Sequence, residues 1–509
     1  MLFNSSAFIF IFMPIVWAGY FLLARKSHQG ATAWLAAASV FFYSYWNIKA
    51  LPVLVISICV NYWFGVLLTR EELKYRQAIL VIAITANIVA LGYYKYINFF
   101  IDNINDAFDA MGLDSVDPLD SISVFLPIGI SFFTFTQIAF LVDNYQGKVK
   151  ERNFIQYILF VSFFPHLLAG PLLHHRQMMP QFSMPANFVI QKVKVAIGLL
   201  IFAVGLAKKI LIADTLNSYL ATFYNSLGQG AEPNFLASWT ACFAYTFQLY
   251  FDFSGYSDMA VGAALLFGIW MPFNFNSPLR ATSIIDFWQR WHITLTKYVG
   301  DYLYTPITLQ FMRVGQALPS TFGFIFSLVI PTLFVFLILG FWHGANWTFV
   351  VFGGMHGLYI VTNHLWRRVF PVLNKKNKSN QSYKALKSVF GWLLTFLAVN
   401  VACVMFRSDN ISIAAMVYKG MLGINGYSLG NMPDIQSWVL GLKFILLAMA
   451  CAFLVVFTMP NTIKISELAE KMFSGSKNLT YVSMAVSIAL ISILLQFNFY
   501  ESPFLYFQF

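Results

Sequence analysis

Apolar residues occur along the chain in long blocks, with short polar stretches between them. Runs near 6–24, 31–49, 51–68, 79–97, 122–142, 154–172, 189–207, 235–269, 320–341, 345–365, 388–406, 439–459 and 480–498 approach or exceed the roughly 17 to 25 residues that a helix needs to cross a bilayer. The 235–269 run suits one tilted helix or two short pieces. Strand-length alternation is absent, which argues against a membrane β-barrel. The pattern predicts an all-α polytopic membrane protein with about 11 to 13 spans. No soluble domain, linker or repeat interrupts it. We read 1–509 as a single membrane domain, with N-terminal spans over 1–100, a core over 122–365 and C-terminal spans over 388–509.

Two apolar runs are broken by Leu126-Pro127-Ile128-Gly129 and Ala169-Gly170-Pro171. Such breaks free backbone groups that lipid cannot satisfy, so they belong where protein or a water-filled cavity surrounds them. An ordinary kink is the plainer reading of each break taken alone.

Composition agrees with the pattern: 59% of the 509 residues are hydrophobic and 10% are charged. A soluble domain carries about 25% charge. The net charge of +11 is explained by its placement. Asp102, Asp106, Asp109, Asp114, Asp117 and Asp120 share one loop without a basic residue. Arg70, Lys74 and Arg76 lie one span before it, and Lys148, Lys150 and Arg152 one span after. The 367–387 loop holds Arg367, Arg368, Lys375, Lys376, Lys378, Lys384 and Lys387 and no acid. The positive-inside rule puts the basic loops in the cytoplasm and both termini outside. The first span has no basic flank or cleavage site and reads as a retained anchor. The four cysteines show no metal spacing and read as small buried hydrophobes.

Ionisable groups within apolar runs are costly and mark candidate chemistry. Asp252 and Asp258, with Ser254 between them, lie in Phe251-Asp252-Phe253-Ser254-Gly255-Tyr256-Ser257-Asp258. The plain alternative is that these carboxylates pair with Arg280 or Arg290 to hold helices together. Over 284–304, Phe287, Trp288, Trp291, Leu295 and Tyr298 recur at helical spacing. Asp286, Gln289, Arg290 and Lys297 lie largely opposite, which predicts an amphipathic interfacial helix. Asp286 and Arg290 are spaced to pair, and His292 sits at the boundary of the two faces.

Gly340-Phe341-Trp342-His343-Gly344-Ala345-Asn346-Trp347 joins two apolar runs by a very short connection, so His343 stays near the membrane interior. The glycines admit either backbone or substrate. Gly353-Gly354-Met355-His356-Gly357 again brackets a histidine with glycines. On one unbroken helix His343 and His356 would point about 220° apart. Either the helix breaks between them or only one does chemistry. Burial favours a neutral imidazole, a competent general base near neutral pH. It can take the proton from a hydroxyl as that oxygen attacks a thioester, and excluding water protects the activated acyl group. A packing hydrogen bond is the alternative role for each histidine. His166, His174, His175 and His364 look interfacial. No metal is expected, because no ligand spacing is present.

FDFSGYSDMA, DFWQRWH and GFWHGANW, in that order, resemble the membrane-bound O-acyltransferase (MBOAT) family. The match is to its bacterial branch of alginate O-acetylases, peptidoglycan acetylases and teichoic acid D-alanylation proteins. Leu126–Gly147, Phe164–Arg176 and Ser502–Phe509 share the likeness. The resemblance implies a ring of helices around a central funnel and tunnel. It implies His343 as the active-site residue and His292 as the second family histidine. Asp252, Ser254, Arg290, Trp291, Asn346 and His356 become candidates for substrate or donor contacts. Arg176, Arg280, Arg290 and Lys297 would face donor phosphates or serve as interfacial anchors. The implied donor is acetyl-CoA or another thioester, with no bound cofactor. The implied acceptor is an extracytoplasmic polysaccharide such as alginate, served by a periplasmic acetyltransferase partner. The implied location is the inner membrane. D-alanyl transfer to teichoic acid from a carrier protein, or non-catalytic export of an acyl group or glycan, are the alternatives. Two spans beyond 438 favour acetyl transfer.

Overall fold

The computed structural model describes residues 1–112, 117–150, 153–370, 381–427, 435–497 (backbone alone over 435–443) and 502–505. Asp114, Arg152, Lys375, Lys376, Lys378 and residues 506–509 of the 502–509 stretch lie outside the described residues. Among the described residues every regular element is a helix, as the apolar blocks predict.

Seven of these helices are long and apolar enough to cross a membrane: Ala7–Ala24, Ile48–Leu68, Arg76–Ala110, Lys192–Gly228, Ser320–His343, Gln381–Arg407 and Lys477–Gln496. The pair Phe444–Thr458 and Thr462–Gly475, bent by 57°, makes eight if it is one broken span. His28–Trp46, Phe235–Leu265 and Trp347–Val369 are also long helices. The 235–269 run therefore resolves as one helix, not two pieces.

The 154–172 run is not a span. It divides into Phe154–Ser162 and the single turn Phe164–Leu167 and then loses helical form before Pro171. Pro165 ends the first helix, because proline donates no hydrogen bond and crowds the preceding turn. Gly129 has φ +76°, and a Cβ there would meet the carbonyl oxygen of Leu167 at 2.8 Å. The first break thus touches the chain just before the second; Ala169-Gly170-Pro171 is buried in protein, whereas Leu126 is exposed.

The chain forms two compact units. The first is Met1–Leu206, Tyr256–Pro272 and Ser466–Gln508. Polar side chains tie its helices. Asn61 and Asn87, both buried, exchange amide hydrogen bonds of 3.1 and 2.6 Å. Gln137 donates to Ser57 Oγ at 2.8 Å and accepts from the Tyr157 hydroxyl at 3.2 Å. In an apolar setting such bonds hold helices together where hydrophobic contrast cannot. His166 and His175 are buried rather than interfacial. His166 Nε2 lies 2.8 Å from the Phe160 carbonyl, and His175 Nδ1 lies 3.0 Å from Asp143.

The second unit is Ala207–Gly255 and Phe273–Ile465. It contains the helix hairpin of Ile330–His343 and Trp347–Val369. A Cβ on Gly340 would lie 2.2 Å from the Phe349 carbonyl oxygen, and one on Gly353 2.1 Å from that of Phe336. Here glycine lets two backbones touch; the space admits no substrate.

Candidate active site

His343 is the last residue of its helix. Gly344 leaves helical geometry at φ −168°, and Trp347 starts the next helix. Asn346 caps that second helix, its side-chain oxygen accepting from the Thr348 amide at 3.0 Å, while its amide nitrogen donates to the Asp409 carbonyl at 2.7 Å. The helix therefore breaks between His343 and His356. This break removes the opposed orientation that one continuous helix would impose.

The His343 ring is 7% exposed and stands among aromatic groups. Its centroid lies 4.9 Å from Trp342, 5.1 Å from Phe406 and 6.1 Å from Phe352. Phe352 is also 4.6 Å from the His356 ring, so one phenyl group contacts both histidines. The indole N–H of Trp288 donates to His356 Nδ1 at 3.3 Å. A nitrogen that accepts cannot carry the proton, so His356 holds it on Nε2. The DFWQRWH and GGMHG stretches thus meet directly.

The segment over 284–304 differs from the single amphipathic helix expected. It runs as Ile284–Arg290 and Ile293–Val299, with a break at Trp291–His292, followed by a π-helical turn over Gly300–Tyr304. His292 takes φ +44°, in the left-handed region. Asn274 holds this corner. Its carbonyl accepts from the Ile293 amide at 2.9 Å, and its side-chain oxygen accepts from the Thr294 amide and hydroxyl at 3.2 and 2.6 Å. Apolar spacing cannot register a left-handed residue, and the Asn274 contact is distant in sequence. The His292 ring, 1% exposed, meets Phe253 edge-on at 4.8 Å, which joins FDFSGYSD to DFWQRWH. Trp291 stacks on Phe287 at 5.6 Å.

Asp252 pairs with neither Arg280 nor Arg290. Its partner is Lys209, whose buried Nζ lies 2.7 Å from Asp252 and 2.9 Å from Asp214. Arg280 donates to the carbonyls of Val456 and Met459 at 2.5 and 2.8 Å. Arg290 pairs with Asp286 at 2.7 Å, as their spacing predicts. Lys209 lies in a π-helical turn, Lys208–Ala213, directly after a plain apolar run. A cation embedded there is itself a sequence signal, since it needs a partner. Ser254 is buried on the Phe235–Leu265 helix, one residue past Phe253. Asp258 and Arg176 belong to the other unit, and Lys297 is exposed. Among the described residues, no group of three His, Cys, Asp or Glu side chains could hold a metal ion.

The model of the MBOAT, membrane-bound O-acyltransferase family, matches residues 40–408. The chain belongs to this family. It is an O-acyltransferase and a multi-pass membrane protein, and the match ends just beyond the Gln381–Arg407 helix that carries Phe406. This acyltransferase is 38% identical to a peptidoglycan O-acetyltransferase of Helicobacter pylori over 85% of its own length and 82% of the relative's. It is 33% identical to a probable alginate O-acetylase, AlgI, of Pseudomonas putida over 100% of both chains. Similarity to a teichoic acid D-alanyltransferase of Streptococcus thermophilus is lower, 27% over 55% of this chain and 68% of that one.

Proposed function

We propose that this acyltransferase moves an acetyl group from a cytoplasmic thioester to hydroxyls of an extracytoplasmic polysaccharide, with His343 as general base. The observation that carries the reading is a buried imidazole at the carbonyl end of a helix, walled by aromatic rings. The imidazole takes the proton of the attacking hydroxyl. The oxygen adds to the thioester carbonyl, a C–O bond forms and the C–S bond breaks. The departing thiolate receives the proton back from the imidazolium, leaving an ester and a free thiol. While protonated, the ring sits where the helix dipole favours positive charge, and the apolar walls keep out water that would hydrolyse the donor.

Acetyl-CoA is the donor we favour, because the most similar relatives named above are acetyl transferases matching more than four-fifths of their length. D-Alanyl transfer draws on a weaker and shorter likeness. The acceptor class follows the same relatives: a glycan of the alginate or peptidoglycan kind. We place the protein in the cytoplasmic membrane with both termini outside, following its loop charges, and assign it a periplasmic partner acetyltransferase. His292 is the second histidine of the site. Asp252, Ser254, Arg290, Trp291, Asn346 and His356 shape it.

The test is His343→Ala in cells that make the acceptor glycan. Glycan-bound acetate should fall by about 10²- to 10⁴-fold, the usual contribution of a general base, with membrane-inserted protein at wild-type amounts. Undiminished acetate at normal expression would rule out the base role.

A further inference from the structure

One ring against the His343 imidazole comes from outside its own hairpin. Phe406, near the end of the Gln381–Arg407 helix, presents its ring at 77° to the histidine with centroids 5.1 Å apart. The same ring meets Phe349 at 5.0 Å and Phe352 at 4.8 Å. Phe349, Phe352 and Phe406 are all buried. The apolar space on this side of the base is therefore filled by interlocked rings.

The acyl chain of a donor begins at the carbonyl carbon that the activated hydroxyl attacks. A hydroxyl within hydrogen-bond reach of the imidazole keeps that carbon close to it. An acetyl group adds one methyl beyond the carbonyl. Every further methylene needs apolar room beside the base, and packed interiors have few voids of that size. One methylene too many in such a pocket changes selection by about 10- to 200-fold.

Phe349 and Phe352 are built into the hairpin. Phe349 packs where a Cβ on Gly344 would stand, 2.2 Å from its ring edge, and Phe352 also supports His356. Phe406 alone of the three can be trimmed without opening the hairpin. The Asn346–Asp409 hydrogen bond, 2.7 Å long, fastens the chain just after Phe406 to the His343 turn.

We infer that Phe406 limits the acyl group transferred at His343 to two carbons, and that Asn346 is the positioning residue that seats it. This inference rests on the acetyl-transfer reading above. Replacing the ring by a methyl group leaves a hole comparable to the apolar cavities that take up benzene, enough for a chain of four carbons.

The experiment uses the full-length protein in membranes with its acceptor glycan. It supplies equal concentrations of acetyl-, propionyl- and butyryl-CoA, and the esters formed are measured by mass spectrometry. Wild type should place acetyl almost exclusively. Phe406→Ala should raise the butyryl-to-acetyl ratio at least tenfold, Phe406→Leu should raise mainly propionyl, and Asn346→Ala should relax selection less than Phe406→Ala. The ratio is internal to each sample and independent of how much variant protein accumulates. Acetyl transfer by Phe406→Ala with the wild-type ratio overturns the inference, as does a wild type that already accepts butyryl. If Phe406→Ala transfers nothing, Phe406→Leu decides, and an unchanged propionyl ratio overturns the inference. Refusal of acetyl-CoA by the wild type defeats the donor assignment instead, and the same ratios are then read with acyl-carrier-protein thioesters.

Discussion

Lys209 Nζ lies 2.7 Å from Asp252 Oδ1, with both side chains buried. Asp214 completes the group at 2.9 Å from the same ammonium. Burial makes this pairing obligatory: removing one partner of such a set costs about 3–5 kcal/mol, because the other charge is left behind. Lys209→Met should therefore sharply lower the thermal stability of the detergent-extracted protein. The triple change Lys209→Met, Asp214→Asn, Asp252→Asn should recover most of the loss. Full stability in the single variant would show that the charges do not depend on one another.

The Trp288–His356 hydrogen bond makes a second prediction. Trp288→Phe keeps a ring on the helix and deletes the N–H. A neutral hydrogen bond contributes roughly 1 kcal/mol, so melting should move little. The turnover number for acetyl transfer should fall about tenfold, because the His356 ring loses the contact that fixes its tautomer. An unchanged turnover number would assign His356 to packing alone.

The glycines of the hairpin separate by what stands opposite each one. Gly340→Ala and Gly353→Ala drive a methyl into a peptide carbonyl, and overpacking of this kind costs at least about 1–3 kcal/mol. A Cβ on Gly354 meets only the Leu337 side chain at 3.4 Å, an ordinary contact. Gly354→Ala should accumulate and melt like wild type while the other two do not. Equal behaviour of the three would contradict the close backbone approach.

His292 invites a comparison of three substitutions. Its φ of +44° is accessible to glycine, tolerable for asparagine and strained for alanine. His292→Gly and His292→Asn should be more stable than His292→Ala, by an amount on the order of 1 kcal/mol. Acetyl transfer should be lost in all three, since none keeps an imidazole. Activity that instead follows stability across the set would make His292 a backbone device.

Much of this was legible in the chain. Block apolarity identified the helices, and the four-residue spacing of Asp286 and Arg290 identified their ion pair. The motifs singled out the histidines, of which His343 and His356 share Phe352 and His292 rests on Phe253. The short connection between Gly340 and Trp347 left open a helix break or a single working histidine, and the structure has the break. What escaped was non-local. Lys209 stands 43 residues before Asp252, and nothing near either names the other. The corner at His292 is dictated by Asn274, outside any window in which periodicity is measured. The 154–172 run was apolar enough for a span, but Pro165 and Gly170 outweighed its composition.

The contact of Gly340 with Gly353 has a kinetic consequence. Two main chains in touch leave no cushion of flexible groups between them, so neither can slip along the other without a carbonyl colliding with the opposing strand of peptide. The hairpin carrying His343, Phe349, Phe352 and His356 must then move as one stiff piece through each turnover. Any gate that admits the thioester or the glycan has to be hinged in some other part of the molecule.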